Sequence, residues 1–174
     1  MVKALRTIYG NSLWLQDIDR TVESLPELAE LEGKSVLVTG ANGLICSAVI
    51  DVLMRYNEAH DDSINVIAAG RNEAKIRARF RPFLDRKSFR FMHYDALNPE
   101  PVNCNADFVI HGAGNAHPAV MSSDPVGTIM GSFISTNTLL KCVINAKGGG
   151  QTISLHLQQR SLRQEGRRKF TAIQ

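Results

Sequence analysis

The stretch Thr39-Gly40-Ala41-Asn42-Gly43-Leu44-Ile45-Cys46 is the part of this chain best suited by residue type and spacing to hold a ligand. It follows a short apolar run, Ser35-Val36-Leu37-Val38-Thr39, which reads as a buried strand. It precedes Ala48 to Tyr56, where Val49, Val52, Leu53 and Tyr56 recur at helical spacing. In that setting Gly40 makes the tight turn. Gly43 lets backbone N–H groups approach a pyrophosphate at the positive end of the following helix. A plain strand-to-helix turn would use the same glycines, but strand, spacing and helix together favour the phosphate cradle.

The elements that must position this turn alternate along the chain. Residues 1–33 read as a helical preface, with Leu13, Leu15, Ile18, Val22, Leu25, Leu28 and Leu31 at three- and four-residue spacing and a break at Pro26. After the first strand and its helix, His60 to Ser63 is a polar loop and Ile64 to Ala68 a second strand. Asn72 to Leu84 is an Arg-rich helix, and Phe89 to Tyr94 alternates as a third strand. Asn98 to Asn105 is a loop with two prolines, Asp107 to His111 a fourth strand, and Asp124 to Ala146 a long helix. Strands alternating with helices predict a parallel, doubly wound α/β sheet. Ligands of such sheets sit at the carboxyl ends of the strands, where this chain places Gly40, Gly70, Gly112 and Gly114.

Composition fits that domain and narrows the partners. With 174 residues, 44% hydrophobic and 21% charged, the chain has enough material for one core. The net charge of +3 belongs to the end of the chain. Residues 151–174 carry Arg160, Arg163, Arg167, Arg168 and Lys169 against Glu165, which leaves 15 basic and 16 acidic residues in 1–150. The body therefore has no nucleic-acid footprint, and binding of nucleic acid through the tail ranks last among the functions considered. Cys46, Cys104 and Cys142 form neither a metal spacing nor a disulfide framework, which points to a cytoplasmic protein with no metal site. No apolar run reaches the roughly 20 residues of a membrane helix.

Val38-Thr39-Gly40-Ala41-Asn42-Gly43-Leu44-Ile45 resembles the TGAxGxIG fingerprint of the short-chain dehydrogenase/reductase superfamily. More narrowly it resembles the extended branch, the NAD-dependent epimerase/dehydratase family acting on nucleotide sugars. The third glycine of the fingerprint is Cys46 here. Tyr94-Asp95-Ala96-Leu97 resembles the segment after the third strand, where the family's Asp meets the adenine amine. His111-Gly112-Ala113-Gly114-Asn115-Ala116 resembles the HxAA stretch that lines the cofactor. Asp124-Pro125 and Thr136 to Leu140 resemble the DP…NxxGTxNLL helix, with Ser132 in place of the family Asn. The resemblance spans roughly residues 34–147 and implies a Rossmann-type domain whose cofactor, NAD or NADP, is held by Gly40, Asn42, Gly43, Leu44, Ile45, Arg71, Asp95, Ala96, Ala113 and Gly114. NAD enzymes usually carry an acid at the end of strand two, whereas this chain has Ala69-Gly70-Arg71-Asn72. Arg71 suits adenine stacking, a 2′-phosphate or plain solvation equally, so the choice between NAD and NADP stays open.

The resemblance also implies catalysis by a Ser or Thr after strand five and by a Tyr followed four residues later by Lys, the Lys lowering the Tyr pKa. Tyr9, Tyr56 and Tyr94 are followed at that spacing by Leu13, His60 and Asn98, so no catalytic residue is assigned. The sequence therefore predicts an incomplete Rossmann domain over 34–147 with about four to five strands. A helical extension covers 1–33, and 148–174 is an aberrant basic tail, disordered or frameshifted, within which Thr152 to Leu157 alternates as an edge strand would. The frameshift reading comes from back-translation. Gln151 to Gln164 admits codons that, read one base later, encode KRFLYISSSEVYG, very like the family's fifth strand and catalytic-serine segment. On this reading the chain is the cofactor-binding part of a nucleotide-sugar epimerase, dehydratase or decarboxylase, inactive alone. The alternative is a non-catalytic NAD(P)-binding module or sensor. An oligomer is left open.

Overall fold

The computed structural model describes residues 8–100, 105–114, 118–145 and 152–154. Among these residues, β1 (Ser35–Thr39), β2 (Asn65–Gly70), β3 (Phe89–His93), β4 (Phe108–His111) and β5 (Thr152–Ser154) form one parallel sheet in the order β3-β2-β1-β4-β5. The chain leaves β1 toward β2 and β3, then returns to the other side of β1 for β4. That reversal makes the carboxyl ends of β1 and β4 the switch point of a doubly wound fold. It is the Rossmann-type arrangement the sequence predicts, with the helices α1 (Ser12–Glu23), α2 (Leu44–Ala59), α3 (Glu73–Arg79), α4 (Pro118–Ser123) and α5 (Pro125–Asn145) around it.

Alternation along the strands divides the core. Val36, Val38, Val66 and Ala68 face α2 and α3, packing with Ile50, Leu53, Met54, Ile76, Phe80, Phe83 and Phe89. Leu37, Ile67, Ala69 and Val109 face the other way, toward Leu139 of α5 and Tyr94. A parallel strand buried on both faces needs an unbroken apolar run, which is why β1 and β2 stand out in the sequence.

The N-terminal extension is docked on α2 through one buried charge. Asp51 of α2 is 2% exposed. It accepts hydrogen bonds from Tyr9 Oη (2.6 Å) and Trp14 Nε1 (3.0 Å) and an ion pair from Arg79 of α3. Arg79 also donates to Tyr9 Oη and lies 5.0 Å from the Tyr9 ring centroid. Asn11 caps α1 by accepting from Leu13 N, and Pro26 opens a separate 3-10 segment, Pro26–Leu31, as the sequence anticipates.

Four details depart from the sequence reading. Helix α2 begins at Leu44 rather than near Ala48, directly after the glycine turn. The Arg-rich helix ends at Arg79, because Pro82 lacks an N–H and the chain continues as a 3-10 turn, Arg81–Phe83. A short helix, α4, precedes the long one. Cys142 is disulfide-bonded, which the wide cysteine spacing did not suggest. Asn115-Ala116, Gly148 to Gly150 and the chain beyond Ser154 lie outside the described residues.

Candidate functional site at the switch point

The glycine turn closes directly on the end of β4. Gly40 has φ +70°, a left-handed conformation that favours glycine. A Cβ placed there would lie 2.6 Å from the carbonyl carbon and oxygen of Gly112. Gly43 N donates to Gly40 O at 2.7 Å and caps α2 without a side-chain hydrogen bond of its own. The first turn of α2 thus offers backbone donors, unclaimed by a capping side chain, beside the Gly112-Ala113-Gly114 wall. Leu44 and Ile45, the first residues of α2, are 83% and 46% exposed, so two large apolar side chains flank those donors in solvent.

Beneath the wall runs a buried polar chain. Ala113 N donates to Thr39 Oγ1 (3.3 Å), and Thr39 Oγ1 pairs with His111 Nδ1 (2.7 Å). His111 Nε2 pairs with Ser135 Oγ (3.0 Å), which donates to Ser132 O of α5 (3.0 Å). Every donor finds an acceptor only if Thr39 donates to Nδ1 and the ring proton sits on Nε2, so the network assigns His111 as a neutral imidazole. Burial holds its pKa below the ordinary histidine value, in agreement. The Tyr94 ring meets His111 edge-on at 6.4 Å. The Tyr94 hydroxyl is buried without a hydrogen bond of normal geometry. Burial first, then Asp95, pushes its pKa up to about 12, with Ser135 opposing.

The other predicted residues lie along the same carboxyl edge. Asp95 and Ala96 follow β3, and Tyr94 N donates to Gly70 O (3.2 Å), tying that loop to the end of β2. Asp95 is half-buried, and its Oδ1 accepts from Leu97 N (3.1 Å), closing its own turn. Arg71 follows β2 on the exposed edge, while Asn72 accepts from Lys75 N to cap α3. Asn42 and Gly114 are exposed and Ala113 is half-buried. Direct contact therefore joins Gly40, Gly43 and Ala113 through Thr39 and Gly112. Arg71, Asp95 and Ala96 share the edge across β2 and β3. Thr39 was outside the predicted site set; its place as the last strand residue before the turn was the available signal.

None of the three tyrosines is poised as an acid or base. Tyr9 is raised well above the ordinary range by burial and its bond to Asp51, and Tyr56 Oη donates to Glu32 (2.6 Å). Among the described residues no cluster of His, Cys, Asp or Glu could hold a metal, and no helix is long and apolar enough to cross a membrane.

The profile of the NAD dependent epimerase/dehydratase family matches residues 36–154. No curated protein matches the sequence. Among solved structures the chain is similar to Pen from Bacillus thuringiensis (TM-score 0.59, 19% identity), covering 72% of this chain and 38% of that one. It is similar to the yeast methylglyoxal/isovaleraldehyde reductase Gre2 complexed with NADPH (TM-score 0.57, 18% identity, 70% and 36% covered). It is also similar to WbmF of Bordetella bronchiseptica in complex with NAD+ and UDP (TM-score 0.51, 17% identity, 67% and 33% covered). At these identities the likeness is one of fold, and the chain spans 33–38% of the length of these three proteins.

Proposed function

The chain belongs to the NAD dependent epimerase/dehydratase family, and from that premise we propose that it binds a nicotinamide dinucleotide, NAD or NADP, across the switch point between β1 and β4. The observation that carries this reading is the left-handed Gly40 pressed against Gly112 at the entrance to α2, whose N-terminus has no side-chain cap. The pyrophosphate would lie on the α2 N-terminus, with Gly43 giving it room and the dipole favouring its charge. Asp95 and Ala96 would take the adenine end, Arg71 the ribose end, and Ala113 and Gly114 the wall toward the nicotinamide. Binding of NADPH by Gre2, and of NAD+ and UDP by WbmF, supports a dinucleotide here and a nucleotide sugar for the full family architecture. When bound, the nicotinamide would accept a hydride.

We further propose that these 174 residues bind cofactor without turning over a nucleotide sugar. In the family such turnover would pass through a ketone, which permits epimerisation or elimination. A tyrosine acid or base needs a lowered pKa, whereas burial raises those of Tyr9 and Tyr94. Beside the in-frame β5, which spans only Thr152–Ser154, permitted codons after residue 150 admit a longer, family-like fifth strand and catalytic serine one base out of register. Sequencing the gene through and beyond the codons for residues 148–174 tests this. An open frame carrying a Tyr and a Lys four residues on supports it, and its lack sinks it. Calorimetric titration with NAD+ and NADPH, run beside an assay of nucleotide-sugar turnover, tests the function. Binding without turnover fits the proposal, and turnover by this chain overturns it.

A further inference from the structure

Cys46 stands where the fingerprint has its third glycine, the residue that lets helix and strand approach closely. The structure shows where that missing space went. A Cβ built on Gly112 would lie 2.2 Å from Cys46 Sγ, so the sulfur fills the volume a side chain at 112 would need. Without the sulfur, the nearest atoms to that Cβ would be Thr39 O at 3.4 Å and Cys46 Cβ at 3.9 Å, both ordinary contacts. Gly112 is also held from the turn side, where a Cβ on residue 40 would lie 2.6 Å from its carbonyl, and its N–H donates to Thr39 O at 3.2 Å. Cys46 is itself buried, at 5% exposed, in the core between α2 and the sheet.

We infer that Cys46 and Gly112 are a compensating pair in which the side chain forgone for close packing has moved from the helix to the strand end. The Cys46 sulfur is then a positioning wedge. It sets how far the first turn of α2 stands from the Gly112-Ala113 wall, and hence the width of the crevice. The contact stands on the geometry alone; its consequence for ligand binding rests on the dinucleotide reading above.

The test is a double-mutant cycle on the full chain with Cys46→Ala, Gly112→Ala and the double variant, reading both the urea unfolding midpoint and the affinity for NAD+ and NADPH. Gly112→Ala alone should lower the midpoint and weaken dinucleotide binding about tenfold, as overpacking at a fixed contact does. Cys46→Ala alone should weaken dinucleotide binding about threefold to tenfold, because the vacated sulfur volume lets the first turn of α2 settle toward the wall, and parental affinity in that variant would mean the sulfur does not set the crevice. The double variant should recover to within about threefold of the parent, the two alanines together replacing one sulfur by one methyl. A Gly112→Ala variant with parental midpoint means the sulfur rotates away and there is no pair. A double variant as weak as Gly112→Ala overturns the inference equally. If no protein in the cycle binds dinucleotide, the cofactor reading fails, while coupling in the midpoints still decides the pair.

Discussion

The two faces of the sheet are finished differently. On the α2–α3 face the chain covers its own core and then covers the covering helix, with the N-terminal extension bonded to Asp51. On the α5 face, Ser135, Thr138 and Leu139 turn inward while Val126, Ile129, Met130 and Phe133 point outward, exposed by 69%, 69%, 46% and 66%. Those four recur at three- and four-residue spacing on the side of α5 away from the sheet. One face is closed by buried polar bonds and aromatic packing; the other presents a second apolar stripe. The candidate crevice lies where the two meet, since Thr39 and His111 belong to the α5 side and Cys46 to the α2 side.

The sharpest way to break this contrast is Asp51→Ala. It strands Arg79 in a site whose other polar partners are Tyr9 and Trp14, and a broken buried pair costs about 3–5 kcal/mol. Urea unfolding followed by the fluorescence of Trp14 should show a loss of that size, and a loss below about 1 kcal/mol would mean the extension is only loosely attached. Next comes Gly40→Ala, which forces a side chain into a left-handed position and into Gly112. It should cost about 1–3 kcal/mol and abolish detectable dinucleotide binding.

A smaller effect follows from His111, whose folded-state pKa lies below its ordinary value. Above about pH 6.5 the ring is neutral in both folded and unfolded chains, so its contribution to stability is fully present. As pH falls below that, the unfolded chain takes up the proton first and the contribution is lost progressively toward the folded-state pKa. The unfolding midpoint should therefore drop with acid more steeply in the parent than in His111→Asn. Smallest of all, Phe133→Ser on the bare stripe should shift chain stability by no more than about 0.5 kcal/mol while improving solubility at high concentration.

What the sequence disclosed follows the same division. The cores of β1 to β4 were legible within a residue or two because strands buried on both faces leave unbroken apolar runs. The glycine turn was legible because its residues and spacing are local. Asp51 was not, because an acid on an amphipathic helix looks like a solvated one until Tyr9, Trp14 and Arg79 arrive from elsewhere in the chain. The Cys46–Gly112 contact escaped for the same reason, since it joins a helix to a distant strand end. His111 illustrates the middle case. Its place in the HxAA-like stretch suggested a lining residue, and its bonds to Thr39 and Ser135 show that both its nitrogens are satisfied within the core. Pro82 was visible in the sequence and should have ended the helix before it.

The α2 N-terminus at the switch point, proposed above as a dinucleotide site, is best probed by titrating NAD+ and NADPH into the parent and Gly43→Glu. The substitution sets a carboxylate and its bulk at the N-cap, where even a Cβ would lie 3.1 Å from Gly40 O. Saturable binding of at least one dinucleotide by the parent is expected, with a loss of at least about 100-fold in Gly43→Glu and an unchanged circular dichroism spectrum. Equal affinity in the two proteins, or no binding by a folded parent, would contradict it.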